Sequence, residues 1–193
     1  IIKTDKNGKL QLIFKDNTVI TIGRNSEVKI ENYIFEDKNP TATFRLKHGI
    51  MKTLTGKIGK IAPKRFKVLT KNASIGIRGT YFVLETSKYD IKLGMIMGIT
   101  TFTNLDTQKE YIVKAGEQLI FNFKHPEQIK IKKDFIEPKE VKNVSLSNIK
   151  NSQMENIVKD IRERVDTNEK DPAIQQNSKS NKFYDGFIRG LFE

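Results

Sequence analysis

Apolar residues occupy every second position in short runs along the first 131 residues of the chain. The first clear run places Leu10, Leu12 and Phe14 on one side of an extended segment. Such alternation predicts strands that bury one side against a core, and about ten runs of this kind are present. The other runs contain Ile20 and Ile22, Val28 and Ile30, Phe44 and Leu46, Phe66 and Val68, Ile75 and Ile77, Tyr81 to Leu84, Ile91 and Leu93, Ile99 to Thr103, Tyr111 to Val113, and Leu119 to Phe123.

Residues that favour turns separate these runs. Asp16-Asn17 predicts a tight hairpin, because both residues tolerate a positive φ. No helical periodicity intervenes, so residues 1–137 are predicted to form an all-β domain, either an antiparallel sandwich, a small barrel or a β-solenoid. Residues 49–63 are less clear: their apolar spacing permits a helical turn, and Gly56 and Gly59 limit it to a short one.

The periodicity changes after Pro138. Apolar residues then recur at helical spacing, which predicts a linker and an amphipathic helix over residues 138–165. These apolar residues would form one side of the helix, which covers either the β-domain or a partner. They are therefore candidate partner-binding positions. They include Met154, Ile157 and Ile161.

Residues 166–182 contain almost no apolar side chains and are predicted to be a flexible linker. Residues 183–193 become apolar again, and this aromatic tail is predicted either to dock on a partner or to fold back on its own domain. Its candidate partner-binding residues are Phe183, Tyr184, Phe187 and Phe192.

The positive charge belongs to the first part of the chain. The net charge is +12, and residues 1–137 carry 25 Lys and Arg against 14 Asp and Glu. Such a field favours an anionic partner such as nucleic acid, lipid headgroups, lipopolysaccharide or an acidic protein face. The competing interpretation is that the lysines keep a β-surface soluble and protect its edges.

The sequence offers little for catalysis. There is no cysteine, and the two histidines, His48 and His125, have no His or carboxylate at metal-ligand spacing. None of the common hydrolase, zinc-protease or nucleotide-binding motifs occurs. We therefore expect no enzymatic activity, no cofactor, no metal and no small-molecule substrate. Nucleic acid is a disfavoured partner because most aromatic residues stand at core positions.

The segment Gly76-Ile77-Arg78-Gly79-Thr80 is the most distinctive local motif. It lacks the helix start and the lysine of a phosphate-binding loop. Apolar residues change sides around it, which predicts a bulge at Gly79. We interpret Gly76, Arg78, Gly79 and Thr80 as a structural motif, with Arg78 near the core as a clamp.

This motif resembles the central motif of the FecR-like family of the bacterial cell envelope, in which Gly-x-Arg-Gly-Thr leads into an apolar strand. The likeness extends from Ile1 to about Phe123. The flanking matches follow the family's order. They are Ile2-Lys3-Thr4 with Gly8, Leu12 to Thr18, Ile22 to Ile30, Gly56-Lys57 and Val113 to Glu117.

The resemblance implies an all-β domain, solenoid-like or sandwich-like, that acts by protein contact in the periplasm or elsewhere in the cell envelope. In the best-known members the domain belongs to an anti-sigma regulator that receives a signal from an outer-membrane receptor for iron chelates. This chain shows no cytoplasmic anti-sigma segment, and the region after Pro138 differs from the family's receptor-contacting part.

Two functions remain open from the sequence. The first is a non-enzymatic envelope module that binds a protein partner, in signalling or as a scaffold component, with any membrane contact made by a segment before Ile1 or by the C-terminal tail. The alternative is a binder of an anionic polymer, either nucleic acid or an envelope glycan or lipopolysaccharide, through the basic β-surface.

Overall fold

Eleven strands and two short helical turns make up the described residues between Ile1 and Lys142. The computed structural model describes residues 1–36 and 38–142, of which Arg78 through its backbone, and then residues 155, 156, 159 and 163. The strands are β1 (Ile2–Lys3), β2 (Leu10–Ile13), β3 (Val19–Ile22), β4 (Glu27–Ile34), β5 (Thr41–Leu54), β6 (Phe66–Leu69), β7 (Ala73–Thr86), β8 (Asp90–Asn104), β9 (Glu110–Lys114), β10 (Glu117–Asn122) and β11 (Lys130–Lys133). An α-helical turn, α1 (Lys57–Ile61), and a 3-10 turn (Pro63–Arg65) lie between β5 and β6. The predicted all-β class is confirmed.

Three long strands organise the sheet, because each pairs with different neighbours along its two halves. The first half of β5 pairs with β4 and, in parallel, with β6, while its second half pairs with β3 and β7. The two halves of β7 pair with β6 and β5 respectively, and both pair with β8. The two halves of β8 pair in turn with β10 and β9.

Each long strand therefore belongs to two layers of one bent sheet. The first layer contains β1, β4, β5, β6, β7, β8 and β9 in that order, and the second contains β2, β3, β5, β7, β8, β10 and β11. The layers enclose a single hydrophobic cluster. The result is a sandwich-like fold, one of the two arrangements that the family resemblance implies.

A glycine with positive φ lies where each long strand passes between the layers. The φ angles are 92° at Gly49 in β5, 62° at Gly79 in β7 and 81° at Gly98 in β8. Other residues rarely adopt such angles. At Gly49 a side chain is also excluded by space, since a Cβ there would lie 2.2 Å from Ser26 Oγ.

These bends also change which side of the strand faces the core. In β7, Ile75 and Ile77 belong to the core before Gly79, and Phe82 and Leu84 belong to it afterwards. The pairing of β7 with β8 shifts register between Arg78 and Tyr81, as expected of a bulge. The predicted bulge at Gly79 is thus confirmed.

Phenylalanines fill much of the space between the layers. Phe44, Phe66, Phe82, Phe102 and Phe121 are almost fully buried. The ring centroids of Phe44 and Phe66 lie 5.7 Å apart, and those of Phe102 and Phe121 lie 5.8 Å apart. Burying one such side chain contributes about 2 kcal/mol, so these rings account for a large part of the core's stabilisation.

The structure also tests two local predictions. β2 and β3 form an antiparallel hairpin in which Asn17 has φ 66°, which confirms the tight turn at Asp16-Asn17. The short helical turn within residues 49–63 is confirmed as α1. However, the apolar residues at the start of that segment, Met51 and Leu54, belong to β5 rather than to a helix.

The chain divides into two compact units, Ile1–Lys142 and Asn143–Glu193. In the second unit the four described residues, Glu155, Asn156, Lys159 and Glu163, are helical and exposed. The candidate partner-binding residues Met154, Ile157, Ile161, Phe183, Tyr184, Phe187 and Phe192 lie outside the described residues. Their docking role stays a prediction.

Candidate interaction surfaces

The glycines of the Gly76–Thr80 motif have different local environments. Gly76 lies within the ladder, and its carbonyl accepts a hydrogen bond from the Thr100 hydroxyl. A Cβ at Gly76 would meet no atom closer than 3.8 Å. Gly79 instead takes up the bulge with its positive φ. Of the two, only Gly79 is required by backbone conformation.

Thr80 joins β7 to the loop that follows β5. It is fully buried, and its N–H donates to Thr55 Oγ1 at 2.9 Å. The Thr55 N–H in turn donates a hydrogen bond to the Thr80 carbonyl at 3.0 Å. These reciprocal bonds fix the end of β5 against the motif, which supports a structural role for Thr80.

A buried carboxylate continues this polar network. Asp16 is fully buried and accepts hydrogen bonds from the Thr18 hydroxyl at 2.8 Å, the Tyr33 hydroxyl at 3.0 Å and the Ile58 N–H at 3.2 Å. Gly56 approaches so closely that a Cβ would lie 2.1 Å from the Asp16 carbonyl oxygen. Sequence reasoning assigned Asp16 only to a turn and missed its position as a hydrogen-bonding centre between the β2–β3 hairpin, β4 and α1.

The same network changes the titration of Tyr33. Burial and the negative charge of Asp16 raise the pKa of the Tyr33 hydroxyl to about 12. The phenol therefore stays protonated as a donor across the physiological range. This arrangement is that of a satisfied structural carboxylate rather than of an acid–base pair open to substrate.

Arg78 is described through its backbone alone, which pairs with Ile99 of β8. Its side chain lies outside what the structure describes. The clamp role inferred from the sequence therefore stays a prediction.

A strap, residues 134–142, packs on the outer side of the second layer. Phe135 covers Gly94 of β8, where a Cβ would lie 2.0 Å from its ring. Val141, at the other end, is fully buried and lies close to Gly23 at the end of β3. Ile136, between these anchors, is 84% exposed.

An ion pair fastens the middle of the strap. Glu137 Oε1 lies 2.7 Å from Lys52 Nζ, and the two side chains are 18% and 12% exposed. Lys52 Nζ also lies 5.6 Å from the centroid of the Tyr81 ring. Burial and the charge of Glu137 raise the pKa of Tyr81 well above its ordinary value. The strap therefore covers an aromatic and charged patch that would otherwise face solvent.

The strand β9 provides an accessible sheet edge for a partner. It pairs with β8 on one side only among the described strands, and Ile112 at its centre is 59% exposed. The Ala115 N–H bonds to the Gly98 carbonyl of β8, so alternation directs the Ile112 N–H and C=O away from β8. Lys114, two residues on, donates its outward N–H to the Glu117 carboxylate at 2.9 Å.

The described residues contain no group of three or more His, Cys, Asp and Glu side chains that could hold a metal ion. His48 and His125 are both exposed, and His125 Nδ1 lies 3.7 Å from Glu127. Among the described residues, no helix is long and apolar enough to cross a membrane.

Comparison with solved structures gives the same fold. The chain is similar to a candidate anti-sigma factor from Parabacteroides distasonis, known from crystals at 2.50 and 1.65 Å resolution. In both cases the TM-score is 0.58 at 16% sequence identity, and the match covers 69% of this chain and 59% of the other. The likeness concerns the fold, and it spans less than two thirds of the other protein. No curated protein matches the sequence.

The family model described as FecR protein matches residues 1–99. This range is slightly more than half of the 193 residues. It includes the Gly76–Thr80 motif with its bulge and the hairpin at Asp16. The chain therefore belongs to the FecR protein family.

Proposed function

We propose that this chain is a non-enzymatic regulatory protein of the bacterial cell envelope that acts in the periplasm by binding another protein. Membership of the FecR family supports a regulatory role. The solved structure that it resembles is described as a candidate anti-sigma factor, which supports the same class of function. The observation that carries the proposal is the open edge of β9.

The β9 edge suits the addition of an extended segment from a partner. Outward-directed backbone groups at Ile112 supply hydrogen bonds, and the exposed Ile112 side chain supplies apolar contact. The edge at β11 is less suitable because its residues are all exposed and include Lys130, Lys132 and Lys133. Lysines on an edge strand oppose the approach of another strand.

Site-specific cross-linking tests this surface. A photoreactive amino acid at position 112, in cells that express the full chain, is expected to cross-link to one envelope protein. The same amino acid at Tyr89, which is 54% exposed in the turn between β7 and β8, is the control and is expected to give no such product. Equal products from both positions, or none from position 112, would count against the β9 edge.

A second experiment separates signalling from a scaffold role. Deletion of the gene is expected to change the transcripts of one sigma-factor regulon while envelope architecture stays intact. Architectural loss with unchanged transcripts would favour a scaffold component instead. Capture by the full chain and by residues 1–142 then tests the tail, because equal capture would remove residues 143–193 from the binding mechanism.

A further inference from the structure

Nearly all of the net charge lies in one continuous stretch. Residues 38–84 contain 11 Lys and Arg and no Asp or Glu, whereas the whole chain has a net charge of +12. Part of this charge is compensated by carboxylates from elsewhere. Arg45 pairs with Glu31, and Lys47 with Glu27. Lys52 pairs with the strap through Glu137.

Most of the remaining basic residues lie in what we call the basic turn, residues 57–67, which runs through α1 and the 3-10 turn into β6. Its five basic residues are all exposed: Lys57, Lys60, Lys64, Arg65 and Lys67. Within residues 1–36 and 38–142, no ion pair involves Lys57, Lys64, Arg65 or Lys67. These four side chains thus present uncompensated positive charge.

The basic turn is held firmly in place. The Lys57 N–H donates to the Asp16 carbonyl at 2.7 Å, and Ile58 beside it is fully buried. At the far end, Arg65 donates to Asn39 Oδ1 at 2.6 Å, which brings the loop carrying Lys38 alongside. The Thr41 hydroxyl also donates to the Arg65 carbonyl at 3.1 Å. The backbone is therefore anchored while the basic side chains face solvent.

An apolar side chain stands among these charges. Ile61 ends α1 and is 66% exposed, although Ile58 on the same turn points into the core. A basic cluster around an exposed aliphatic side chain combines the two contributions that hold peripheral proteins on anionic bilayers, which are electrostatic attraction and shallow apolar insertion.

We propose that the basic turn binds the surface of an anionic phospholipid membrane. A protein partner fits less well, because lysine is depleted in protein interfaces while aromatic residues are enriched, and Phe66, the aromatic residue of the turn, is fully buried. For the same reason the turn has no aromatic platform on which bases of single-stranded nucleic acid could stack. This contact is separate from the β9 edge and does not depend on the proposed protein partner.

Vesicle binding by the full chain tests the proposal. The protein is expected to sediment with vesicles of phosphatidylcholine and phosphatidylglycerol but not with phosphatidylcholine alone, and to be released by 0.5 M salt. One basic residue near an anionic surface is worth about fivefold in affinity, so Lys57→Gln with Lys64→Gln is expected to weaken binding about 25-fold. Ile61→Ser is expected to weaken it further.

A matched control removes the same charge elsewhere. Lys130→Gln with Lys132→Gln changes two exposed lysines of β11 and is expected to leave vesicle binding within about twofold, because attraction falls off within a Debye length. Thermal unfolding of each variant verifies that the fold is kept. Equal losses in both double variants would overturn the site. Binding of duplex DNA or polyglutamate through the turn, without binding of anionic vesicles, would overturn the lipid assignment.

Discussion

At the scale of single residues, the glycines of the long strands differ in what they contribute. Gly76 has room for a side chain, Gly79 has an unusual φ with open space around it, and Gly49 has both a positive φ and a close neighbour. These differences predict different energetic costs for the same substitution. They also show that Gly76, inside the Gly76–Thr80 motif, tolerates a side chain better than Gly49, which lies outside it.

Alanine substitutions test this order. Gly76→Ala is expected to change the free energy of unfolding little, and Gly79→Ala to cost about 1 kcal/mol, since left-handed backbone disfavours L-residues by that amount. Gly49→Ala is expected to cost more, because its Cβ would also lie 2.5 Å from the Ser26 Cα. Urea unfolding of the three variants gives the order, and a Gly49→Ala protein as stable as Gly76→Ala would contradict it.

The hydroxyl of Tyr33 predicts a pH dependence of stability. Its pKa is raised to about 12 by burial and by Asp16. The phenol of the unfolded chain loses its proton near pH 10. The contribution of the protonated Tyr33 hydroxyl to the free energy of unfolding is therefore fully present below pH 10 and is lost as the pH rises to about 12. Tyr33→Phe is expected to lower the free energy of unfolding by about 1 kcal/mol at pH 7, because the hydrogen bond to Asp16 is lost. The gap in unfolding free energy between the two proteins is expected to narrow above pH 10. Unfolding by urea between pH 7 and 11 measures this, with Tyr89→Phe as a surface control, and a constant difference would contradict it.

Sequence reasoning at this scale identified the bulge at Gly79 because apolar residues change parity around it. It could not identify Gly49 and Gly98 as the matching bends. Their flanking runs looked like separate strands, and nothing in a local pattern tells whether two runs join. Asp16 was likewise assigned to a turn, because its partners Tyr33 and Ile58 are distant in sequence and meet it only in the folded protein.

At the scale of elements, the packing of the strap is the feature that the sequence pattern predicted least. Residues 134–142 have neither strand nor helix periodicity, and their anchors act individually. Phe135 fills the notch over Gly94, and Glu137 meets Lys52 across 85 residues of chain. A contact between positions so far apart leaves no local pattern, so only the folded arrangement reveals it.

Neighbouring residues of the strap provide a matched pair of substitutions. Phe135→Ala is expected to destabilise the protein by about 2 kcal/mol, since it removes a large half-buried ring and leaves a cavity over Gly94. Ile136→Ala, at a side chain that is 84% exposed, is expected to change stability by less than about 0.5 kcal/mol. Chemical denaturation compares them. Similar small effects of both substitutions would mean that the strap does not stabilise the sheet.

At the scale of the whole molecule, the long strands couple the two layers. Because β5, β7 and β8 each run through both, neither layer can lose its central strands without breaking the other. The sequence predicted the class of fold and its strand-rich composition, since period-two patterning is local. It left a sandwich, a small barrel and a solenoid open, since that choice depends on how distant strands pair.

This coupling predicts that residues 1–142 unfold as one cooperative unit. Hydrogen exchange under native conditions is expected to give the same highest opening free energy for amides of β6 in the first layer and β10 in the second, with the same urea dependence. Calorimetry of this fragment is expected to show one transition whose calorimetric and van't Hoff enthalpies agree. Different opening free energies for β10 and β6, or a transition that splits in two, would contradict this coupling. A shared opening energy is expected here because the same backbone crosses both layers at Gly49, Gly79 and Gly98, so neither layer can unfold without disrupting strands of the other.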